Sequence, residues 1–389
     1  MIAESLAGKR IAITGATGFV GTALVERLLR SVPDCELVLL VRDGQRTSAA
    51  RRTDREIFKN DAFDRLRAQC SEQGVDFATV TGRVTTIAGD VTRDGLGLND
   101  ADRAIFASCD TVIHSAAAVS FDSPLDSAVE INLLGPSRIA DLCNAIGITP
   151  HLVAVSTCYV AGNRRGNAPE KLVSDGPFDI GIDWRNEVAA SRRLRSDADA
   201  ASRTREQLEA FRKEARTELG AAGAPALASK TEQLREKWVK DQLIDAGRAR
   251  AASVGWPDAY AFTKALGEQA LTDVKGPVPV SIVRPSIIES ALAEPRPGWI
   301  RGFRMAEPVL ISYARGLLDE FPGGPEGTVD VIPVDIVVAA IIAVAALGPD
   351  RAPEITQVAS GGINPLKYRM LVDNVSGWFL EHPIYDAKG

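Results

Sequence analysis

Eight residues near the N-terminus, TGATGFVG at positions 14–21, set the first constraint on the fold. They follow the apolar stretch RIAI, which predicts a strand, and continue into FVGTALVERLLRSV, which has the spacing of an amphipathic helix. In such a turn Gly15 permits a tight bend, Gly18 lets a pyrophosphate approach the backbone, and Gly21 lets the helix pack close to the strand. The free N–H groups at the start of the helix favour phosphate.

The motif therefore predicts a nucleotide site, and a glycine turn that serves packing alone is the alternative. The candidate contacts in the motif are Thr14, Gly15, Thr17, Gly18, Phe19, Val20 and Gly21.

Short apolar stretches alternate with helical patterns along most of the chain. Six of them predict strands: RIAITG, ELVLLVR, VTTIAGDV, TVIHSAA, HLVAVST and VSIVRPS. Continuous apolar strands separated by helices indicate a parallel sheet that is covered on both faces. We therefore predict the α/β class with a doubly wound parallel sheet, and we find no internal repeat.

The residues after the second strand are predicted to select the dinucleotide. An arginine there holds a 2′-phosphate, whereas an acidic residue accepts hydrogen bonds from a 2′-hydroxyl. Arg42 and Arg52 indicate NADPH, and the neighbouring Asp43 is the argument against it. After the third strand we expect contacts with the adenine. After the fourth, small side chains leave room for the ribose and pyrophosphate; these candidates are Asp90, Val91, Ala116, Ala117 and Ala118.

Tyr260 and Lys264 lie four residues apart in a predicted helix, so both side chains point to the same side of it. The spacing alone also fits a surface tyrosine that packs on the stem of a lysine. The fifth strand ends in Ser156 and Thr157, and the carboxyl ends of strands line the ligand crevice of a doubly wound sheet. The hydroxyl and the Tyr–Lys pair would therefore face a nicotinamide and a carbonyl.

Two patterns in the chain resemble those of a known superfamily. A hydroxyl at a strand end followed by Tyr-x-x-x-Lys resembles the active site of the short-chain dehydrogenase/reductases, and TGxxGxxG resembles the glycine pattern of their extended branch. Over most of the chain, the stretches VSTCYV, YAFTKALGEQ, RPSIIESALAEPRPGWI and DVIPVDIVVAAII resemble the reductase domain of alcohol-forming fatty acyl-CoA reductases. The resemblance implies a Rossmann-like fold with NADPH as cofactor.

The same resemblance implies roles for individual residues. Thr157, Tyr260 and Lys264 match the catalytic positions of the family, and Lys264 would also hold the nicotinamide ribose. Asn132 matches an asparagine that supports the lysine through water, and an asparagine that pins the helix is the alternative. Further candidate cofactor contacts at the end of the sixth strand are Pro285 and Ile287.

The implied reaction is the reduction of a fatty acyl-CoA thioester. Thr157 would donate a hydrogen bond to the thioester carbonyl, and Tyr260 would donate a proton to the developing oxyanion. A free tyrosine has a pKa of about 10, and a nearby lysine ammonium stabilises a phenolate. Loss of coenzyme A from the hemithioacetal leaves a fatty aldehyde, which the same residues can reduce to a fatty alcohol.

Two other functions stay open at this point. An aldehyde-forming thioester reductase domain, of the kind found in carboxylic acid reductases and peptide synthetases, would share the glycine turn and the catalytic residues but take its substrate from a phosphopantetheine carrier. A redox-sensing protein that binds NADP without catalysis is the second alternative. Such sensors typically lose the Tyr or the Lys, and both are present here.

We predict an NADP-binding domain at residues 1–288, interrupted by a charged helical insertion at about 185–252. The insertion is interpreted as two long exposed helices broken near 220–226. A hairpin that faces solvent is favoured over a docking site, because charge-laced helices usually face water.

Residues 289–389 are predicted to form a smaller substrate-binding or lid region that returns to the nucleotide-binding domain. Apolar side chains of 289–330 would wall the acyl chain, and Arg301, Arg304 and Arg315 would be available for coenzyme A phosphates. Ordinary core helices are the alternative. Members of the family usually continue well beyond HPIYDAKG, so their C-terminal extension is expected to be absent.

Composition excludes several other classes of protein. A net charge of −6 disfavours nucleic acid as a partner. The five cysteines form no CxxC pair and the three histidines are far apart, which favours reduced thiols and no metal site. No apolar run is long enough to span a bilayer. We expect a cytoplasmic protein in which peripheral membrane contact and the oligomeric state stay open.

Overall fold

A parallel β-sheet forms the centre of the molecule. The computed structural model describes residues 2–179, 181–220, 223–302, 307–318, 320–321 and 323–383. The strands in these ranges are β1 (Arg10–Thr14), β2 (Glu36–Val41), β3 (Val84–Ala88), β4 (Thr111–His114), β5 (His151–Val155), β6 (Val280–Pro285), β7 (Ile287–Glu289), β8 (Thr328–Val329), β9 (Val331–Pro333), β10 (Ile355–Val358) and β11 (Leu366–Lys367).

The order of the central sheet is β10-β6-β5-β4-β1-β2-β3, and all its neighbouring strands are parallel. This order reverses direction between β1 and β4, which is the arrangement of a doubly wound fold. The prediction of the α/β class with a Rossmann-like sheet is confirmed. Two short pairs lie outside it, β7 with β9 in parallel and β11 with β8 in antiparallel orientation.

Helices cover the sheet and extend from it. Their bounds are α1 (Ile2–Leu6), α2 (Phe19–Ser31), α3 (Ala49–Arg52), α4 (Asp64–Gln73), α5 (Phe77–Thr81), α6 (Asp100–Ala107), α7 (Leu125–Ala128), α8 (Leu134–Ile146), α9 (Trp184–Ser202), α10 (Arg205–Leu219), α11 (Ala224–Ser253), α12 (Ala259–Val274), α13 (Glu307–Ala314), α14 (Val334–Leu347) and α15 (Tyr368–Glu381). A π-helical turn, Val129–Leu133, joins α7 to α8.

Each face of the sheet buries its own core. Alternation along a strand sends successive side chains to opposite faces, so that Ile11 and Ile13 join the core beneath α1, α2 and α14, while Ala12 joins the core beneath α6, α8 and α12. Both cores consist mostly of fully buried Val, Leu and Ile side chains. This burial on both faces explains why the strands are continuous apolar runs rather than alternating ones.

The C-terminal region contributes to both the sheet and one core. β10 pairs with β6 as a seventh strand, and α14 packs against α1 and α2. The apolar patterns predicted six of the seven strands of the central sheet and not β10, because ITQV is only four residues long and two of its residues are polar. By contrast, α15 has no buried residue.

The insertion between β5 and α12 forms three helices in the described residues, α9, α10 and α11, so the prediction of two is wrong. The unforeseen break follows Ser202, where the Thr204 hydroxyl accepts a hydrogen bond from the backbone N–H of Gln207 and starts α10. The break expected near 220–226 is present, since α10 ends at Leu219 and α11 begins at Ala224.

The insertion is also less exposed than expected. Leu243 and Ala251 of α11 are fully buried, and Ala251 shares a core with α7 and α12. One end of the insertion therefore packs on the nucleotide-binding part, so a hairpin facing only solvent is not what forms.

Among the described residues, no helix combines the length and the apolar character that crossing a bilayer requires. The cytoplasmic location and peripheral membrane contact stay predictions.

Candidate active site

One large cavity, of about 720 Å³, lies at the carboxyl ends of the central strands. Residues after β1, β2, β3, β4, β5 and β6 line it, together with Tyr260 of α12. Because ligands bind at this edge of an open parallel sheet, the cavity is the candidate active site. The predicted contacts that line it are Thr14, Gly15, Thr17, Gly18, Phe19, Val20, Gly21, Arg42, Arg52, Asp90, Val91, Ala116, Ala117, Thr157, Tyr260, Pro285 and Ile287.

The glycine turn after β1 has the geometry of a phosphate site. Gly15 has φ of +75°, which side chains disfavour, and a Cβ at this position would lie 2.5 Å from the backbone N of Ala116. A Cβ on Gly21 would lie 2.2 Å from the carbonyl oxygen of Gly15. The turn thus brings α2, which begins at Phe19, close to β1 and aims its N-terminus at the cavity. The residues present fit a pyrophosphate here.

Two arginines reach the cavity after β2, and the neighbouring acid does not. Asp43 Oδ1 accepts a hydrogen bond of 2.7 Å from the backbone N–H of Ala49, so this carboxylate caps α3 rather than lining the cavity. Arg52 donates a hydrogen bond of 2.8 Å to the carbonyl oxygen of Arg42. Its Nε and Nη2 donate to the two carboxylate oxygens of Glu56, each at 3.0 Å.

Lys264 fastens α12 to the sheet. Its Nζ donates a hydrogen bond of 2.9 Å to the carbonyl oxygen of Val155, the last residue of β5. The side chain is buried, and burial lowers the pKa of its ammonium to about 8, partly offset by Glu268. Lys264 does not line the cavity itself; Tyr260, one turn earlier on the same side of α12, does.

The start of α12 is fixed by Asp258, whose Oδ1 accepts a hydrogen bond of 2.8 Å from the N–H of Ala261. At the next turns, Glu268 lies four residues beyond Lys264 and forms a buried ion pair with Arg284 of β6, with Nε and Oε1 separated by 2.9 Å. The face of α12 that carries Tyr260 and Lys264 is therefore held at both ends, which limits the helix to one rotation about its axis.

Thr157 follows β5 and lines the cavity in extended conformation. Its hydroxyl accepts a hydrogen bond of 3.2 Å from the N–H of Tyr159 and lies 3.5 Å from the carbonyl oxygen of Pro285. The hydroxyls of Ser156 and Ser286, on either side of this position, are buried and have no hydrogen-bond partner among the described residues. All three hydroxyls lie at the carboxyl ends of neighbouring strands, where a ligand would meet them.

Asn132 lies in the π-helical turn, and its side chain bonds to both the loop after β4 and α12. Its Oδ1 accepts from the N–H of Ala118 at 2.9 Å, and its Nδ2 donates to the carbonyl oxygen of Ala118 at 3.0 Å and to the Thr263 hydroxyl at 3.2 Å. The side chain thus ties the loop after β4 to α12. Neither Asn132 nor Ala118 lines the cavity. Water-mediated support of Lys264 by Asn132 stays a prediction.

His114, at the end of β4, is a buried neighbour of the site that carried no prediction. Its Nδ1 lies 2.8 Å from the Thr14 hydroxyl, while its Nε2 is buried without a partner among the described residues. Burial, followed by the charge of Lys264, lowers the pKa of His114 to about 3. The ring is therefore neutral at physiological pH and adds no positive charge beside Lys264.

Sequence reasoning also missed an aromatic wall. Phe121 lines the cavity, and its ring lies edge-on to Tyr260 at a centroid distance of 6.1 Å and tilted against Tyr159 at 6.4 Å. Burial raises the pKa of Tyr159. Two tyrosines thus face the cavity, and only Tyr260 has a lysine four residues later; the corresponding position after Tyr159 is Asn163. The stretches HSAAAVSF and VSTCYV contained these aromatic residues as the available signal.

The predicted lid is only partly represented. Arg301 donates to the hydroxyl of Thr22, and Arg315 is exposed after α13. Arg304 lies outside the described residues. Among the described residues of 289–330, none lines the cavity, so the predicted acyl wall from this region is not what forms; Ile287 and Ile288, just before the region, do line it.

Comparisons with known proteins agree with this arrangement. Residues 13–341 match the NAD-binding family described as "Male sterility protein". The chain is 33% identical over 399 residues to "Fatty acyl-CoA reductase 2, chloroplastic" of Arabidopsis thaliana, covering 100% of this chain and 60% of that protein. It is 34% identical over 391 residues to "Alcohol-forming fatty acyl-CoA reductase" of Simmondsia chinensis, covering 98% of this chain and 73% of that protein. The chain thus spans less than two thirds of the Arabidopsis relative.

Solved structures share the fold at low identity. The terminal R domain from the myxalamid PKS-NRPS biosynthetic pathway superposes with a TM-score of 0.59 at 18% identity, covering 95% of this chain and 69% of that one. A thiolation-reductase di-domain from an archaeal non-ribosomal peptide synthetase gives 0.58 at 17% identity, covering 99% and 65%. At such identities the likeness concerns architecture alone.

The sheet order and the glycine turn define an extended short-chain dehydrogenase/reductase fold, a class of proteins that bind a nicotinamide dinucleotide. Within that class, the chain belongs to the fatty acyl-CoA reductase family, also described as the male sterility protein family.

The two tyrosines of the cavity give a direct test of which one acts as the acid. Tyr260→Phe should keep dinucleotide binding and lose turnover by about 100-fold or more, because loss of a general acid typically costs that much. Tyr159→Phe also removes a tyrosine hydroxyl from the cavity wall, and it should reduce turnover much less. Steady-state rates and cofactor titrations of both variants check this. Equal losses in the two variants would refute the assignment of Tyr260.

Proposed function

We propose that the protein catalyses the NADPH-dependent reduction of a long-chain fatty acyl-CoA thioester to a fatty alcohol, through a hemithioacetal and an aldehyde. The observation that carries the proposal is the convergence of Thr157, Tyr260 and the glycine turn on one cavity, with Lys264 fixed behind Tyr260. Relatives named as fatty acyl-CoA reductases support this substrate class.

The roles of the residues follow from their positions. Thr157 donates a hydrogen bond to the thioester carbonyl and orients it. When bound, the reduced nicotinamide supplies the hydride. Tyr260 donates its proton as the carbonyl oxygen becomes an oxyanion, and the Lys264 ammonium stabilises the phenolate that remains. The Tyr260 phenolate then takes back the hydroxyl proton as the carbon–sulfur bond of the hemithioacetal breaks, and the thiolate of coenzyme A leaves and is protonated by solvent. The aldehyde then presents the same carbonyl geometry to Thr157 and to the reprotonated Tyr260 for a second reduction.

The preference for NADPH is inferred from the end of β2. Arg42 and Arg52 line the cavity, while Asp43 caps α3 through the N–H of Ala49. A guanidinium binds a phosphate with two parallel hydrogen bonds, which a ribose hydroxyl cannot exploit. Arg52 is already engaged with Glu56, so Arg42 is the main candidate for the 2′-phosphate.

Retention of the aldehyde between the two steps is attributed to apolar contact. Val119, Phe121 and Ile288 are apolar residues of the cavity lining, and the Phe121 ring lies beside Tyr260. Each buried methylene of an acyl chain contributes about 0.8 kcal/mol, so a long chain can stay bound while the oxidised cofactor is exchanged. A short chain has too little apolar surface for this.

Replacement of Arg42 tests the choice of cofactor. Arg42→Ala should weaken NADPH at least about tenfold, because a charge-assisted phosphate contact contributes about 1.5–3 kcal/mol. Binding of NADH should change far less, since it lacks the 2′-phosphate. Fluorescence titration of both cofactors against the parent and the variant measures the difference. If both affinities fall equally, another group sets the preference.

Product analysis tests the reaction itself. With excess NADPH, palmitoyl-CoA should yield hexadecanol with two NADPH consumed per thioester, whereas a short acyl-CoA should release aldehyde. Gas chromatography of the products and absorbance of NADPH give both quantities. Stoichiometric aldehyde from palmitoyl-CoA would contradict alcohol formation. It would favour instead an aldehyde-forming thioester reductase, and reduction of an acyl-phosphopantetheine carrier in place of acyl-CoA would identify that alternative.

A further inference from the structure

Three arginines of the insertion contact one segment at the edge of the cavity. This rim segment, residues 119–130, carries acids at four-residue intervals: Asp122, Asp126 and Glu130. Arg248 of α11 pairs with Asp122. On α9, Arg195 Nε lies 2.6 Å from Asp126 Oδ2, and Arg192 Nε lies 2.9 Å from Glu130 Oε1. Two of the three insertion helices thus bind one segment at three successive points.

The rim segment forms part of the cavity wall. Val119, Ser120, Phe121 and Asp122 line the cavity, and Phe121 is the residue whose ring lies edge-on to Tyr260. Asp122, the neighbour of Phe121 in the chain, is the residue that Arg248 binds. A shift of the insertion would therefore act on Asp122 and, through the adjacent peptide bond, on Phe121 beside Tyr260.

Apolar packing holds the insertion in place beneath these ion pairs. A Cβ on Gly247 would lie 3.2 Å from Cβ of Leu125 and 3.4 Å from Cβ of Ala259, so α11 approaches α7 and the start of α12 closely. This close packing fixes α11, so the position of Arg248 relative to α7 and α12 is set. Arg248 and Asp122 are 54% and 65% exposed, so their pair adds little to global stability.

The Arg195 pair is less exposed on its acidic side. Asp126 is only 16% exposed, and its second oxygen, Oδ1, is buried without a partner among the described residues. Removal of Arg195 would leave this carboxylate without its counter-charge, which favours movement of the rim segment toward water.

We propose that the α9–α11 insertion is a positioning element for the substrate: Arg195 and Arg248 hold the rim segment so that Phe121 forms the acyl-binding wall beside Tyr260. This inference rests on the proposed function for its substrate and on the ion pairs for its geometry. The cofactor half of the cavity, at the ends of β1 and β2, is not contacted by these pairs. The insertion should therefore affect substrate binding and leave dinucleotide binding unchanged.

The test compares two double variants of the same insertion. Arg195→Ala with Arg248→Ala removes two pairs to the rim segment. Arg205→Ala with Lys237→Ala is the matched control. It also removes two positive charges from the insertion, but from pairs that each lie inside a single helix: Arg205 with Glu209 in α10, and Lys237 with Asp241 in α11. Arg195→Lys with Arg248→Lys is the rescue variant, since it keeps both charges. Melting temperature confirms that each variant is folded.

Hydrogen–deuterium exchange reports on the geometry without any substrate. Backbone amides of residues 119–126, the part of the rim segment that carries Asp122 and Asp126, should exchange faster in the Ala pair than in the parent, the control pair and the Lys pair. Equal exchange in the Ala pair and the control would overturn the proposal. This outcome is independent of whether the chain reduces acyl-CoA.

Steady-state kinetics measure the consequence for substrate binding. In the Ala pair, KM for palmitoyl-CoA should rise by about fivefold or more with a nearly unchanged kcat, because contacts that bind ground state and transition state alike are lost. The Kd for NADPH should not change, and the Lys pair should recover most of the KM. A parallel loss of NADPH affinity, or a fall in kcat alone, would contradict a substrate-positioning role. Failure of the parent to reduce palmitoyl-CoA would instead count against the proposed function.

Discussion

The hydrogen bond from Lys264 Nζ to the carbonyl oxygen of Val155 is the contact on which the active-site geometry depends. It joins the helix that carries Tyr260 to the end of the strand that leads into Thr157. Together with the buried Glu268–Arg284 ion pair, it fixes the relation at the cavity between two elements separated by more than a hundred residues of chain. Burial of the side chain also lowers the pKa of its ammonium to about 8, close to physiological pH.

The cavity brings together two groups of residues that lie far apart in the sequence. The glycine turn and Arg42 belong to the first half of the sheet, whereas Thr157, Tyr260 and Ile287 belong to the second. They converge because the strand order reverses between β1 and β4, which opens a crevice at the carboxyl ends of the strands. Asn132 stabilises that crevice from the side, since it links the loop after β4 to α12.

Most of the fold and the polar part of the site could be predicted from sequence because their signals are local. Continuous apolar strands, a glycine turn at a helix start and a Tyr-x-x-x-Lys spacing are each readable within a few residues. Contacts between distant segments were not readable: the hydrogen bond from Asn132 to Thr263 and the packing of the Phe121 ring on Tyr260 both depend on tertiary structure. The break before α10 was missed because Thr204 lies in a run that is otherwise helical in composition.

The pH dependence of catalysis tests the central claim most directly, namely that the buried Lys264 ammonium supports proton donation by Tyr260. Burial lowers the pKa of Lys264, so the side chain is charged below about pH 8 and becomes neutral as the pH rises through that value. At saturating NADPH, kcat/KM for palmitoyl-CoA should therefore decline above about pH 8, with cofactor affinity measured at each pH as the control. A profile that stays flat to about pH 9.5, well above the value to which burial lowers the lysine pKa, would contradict the account.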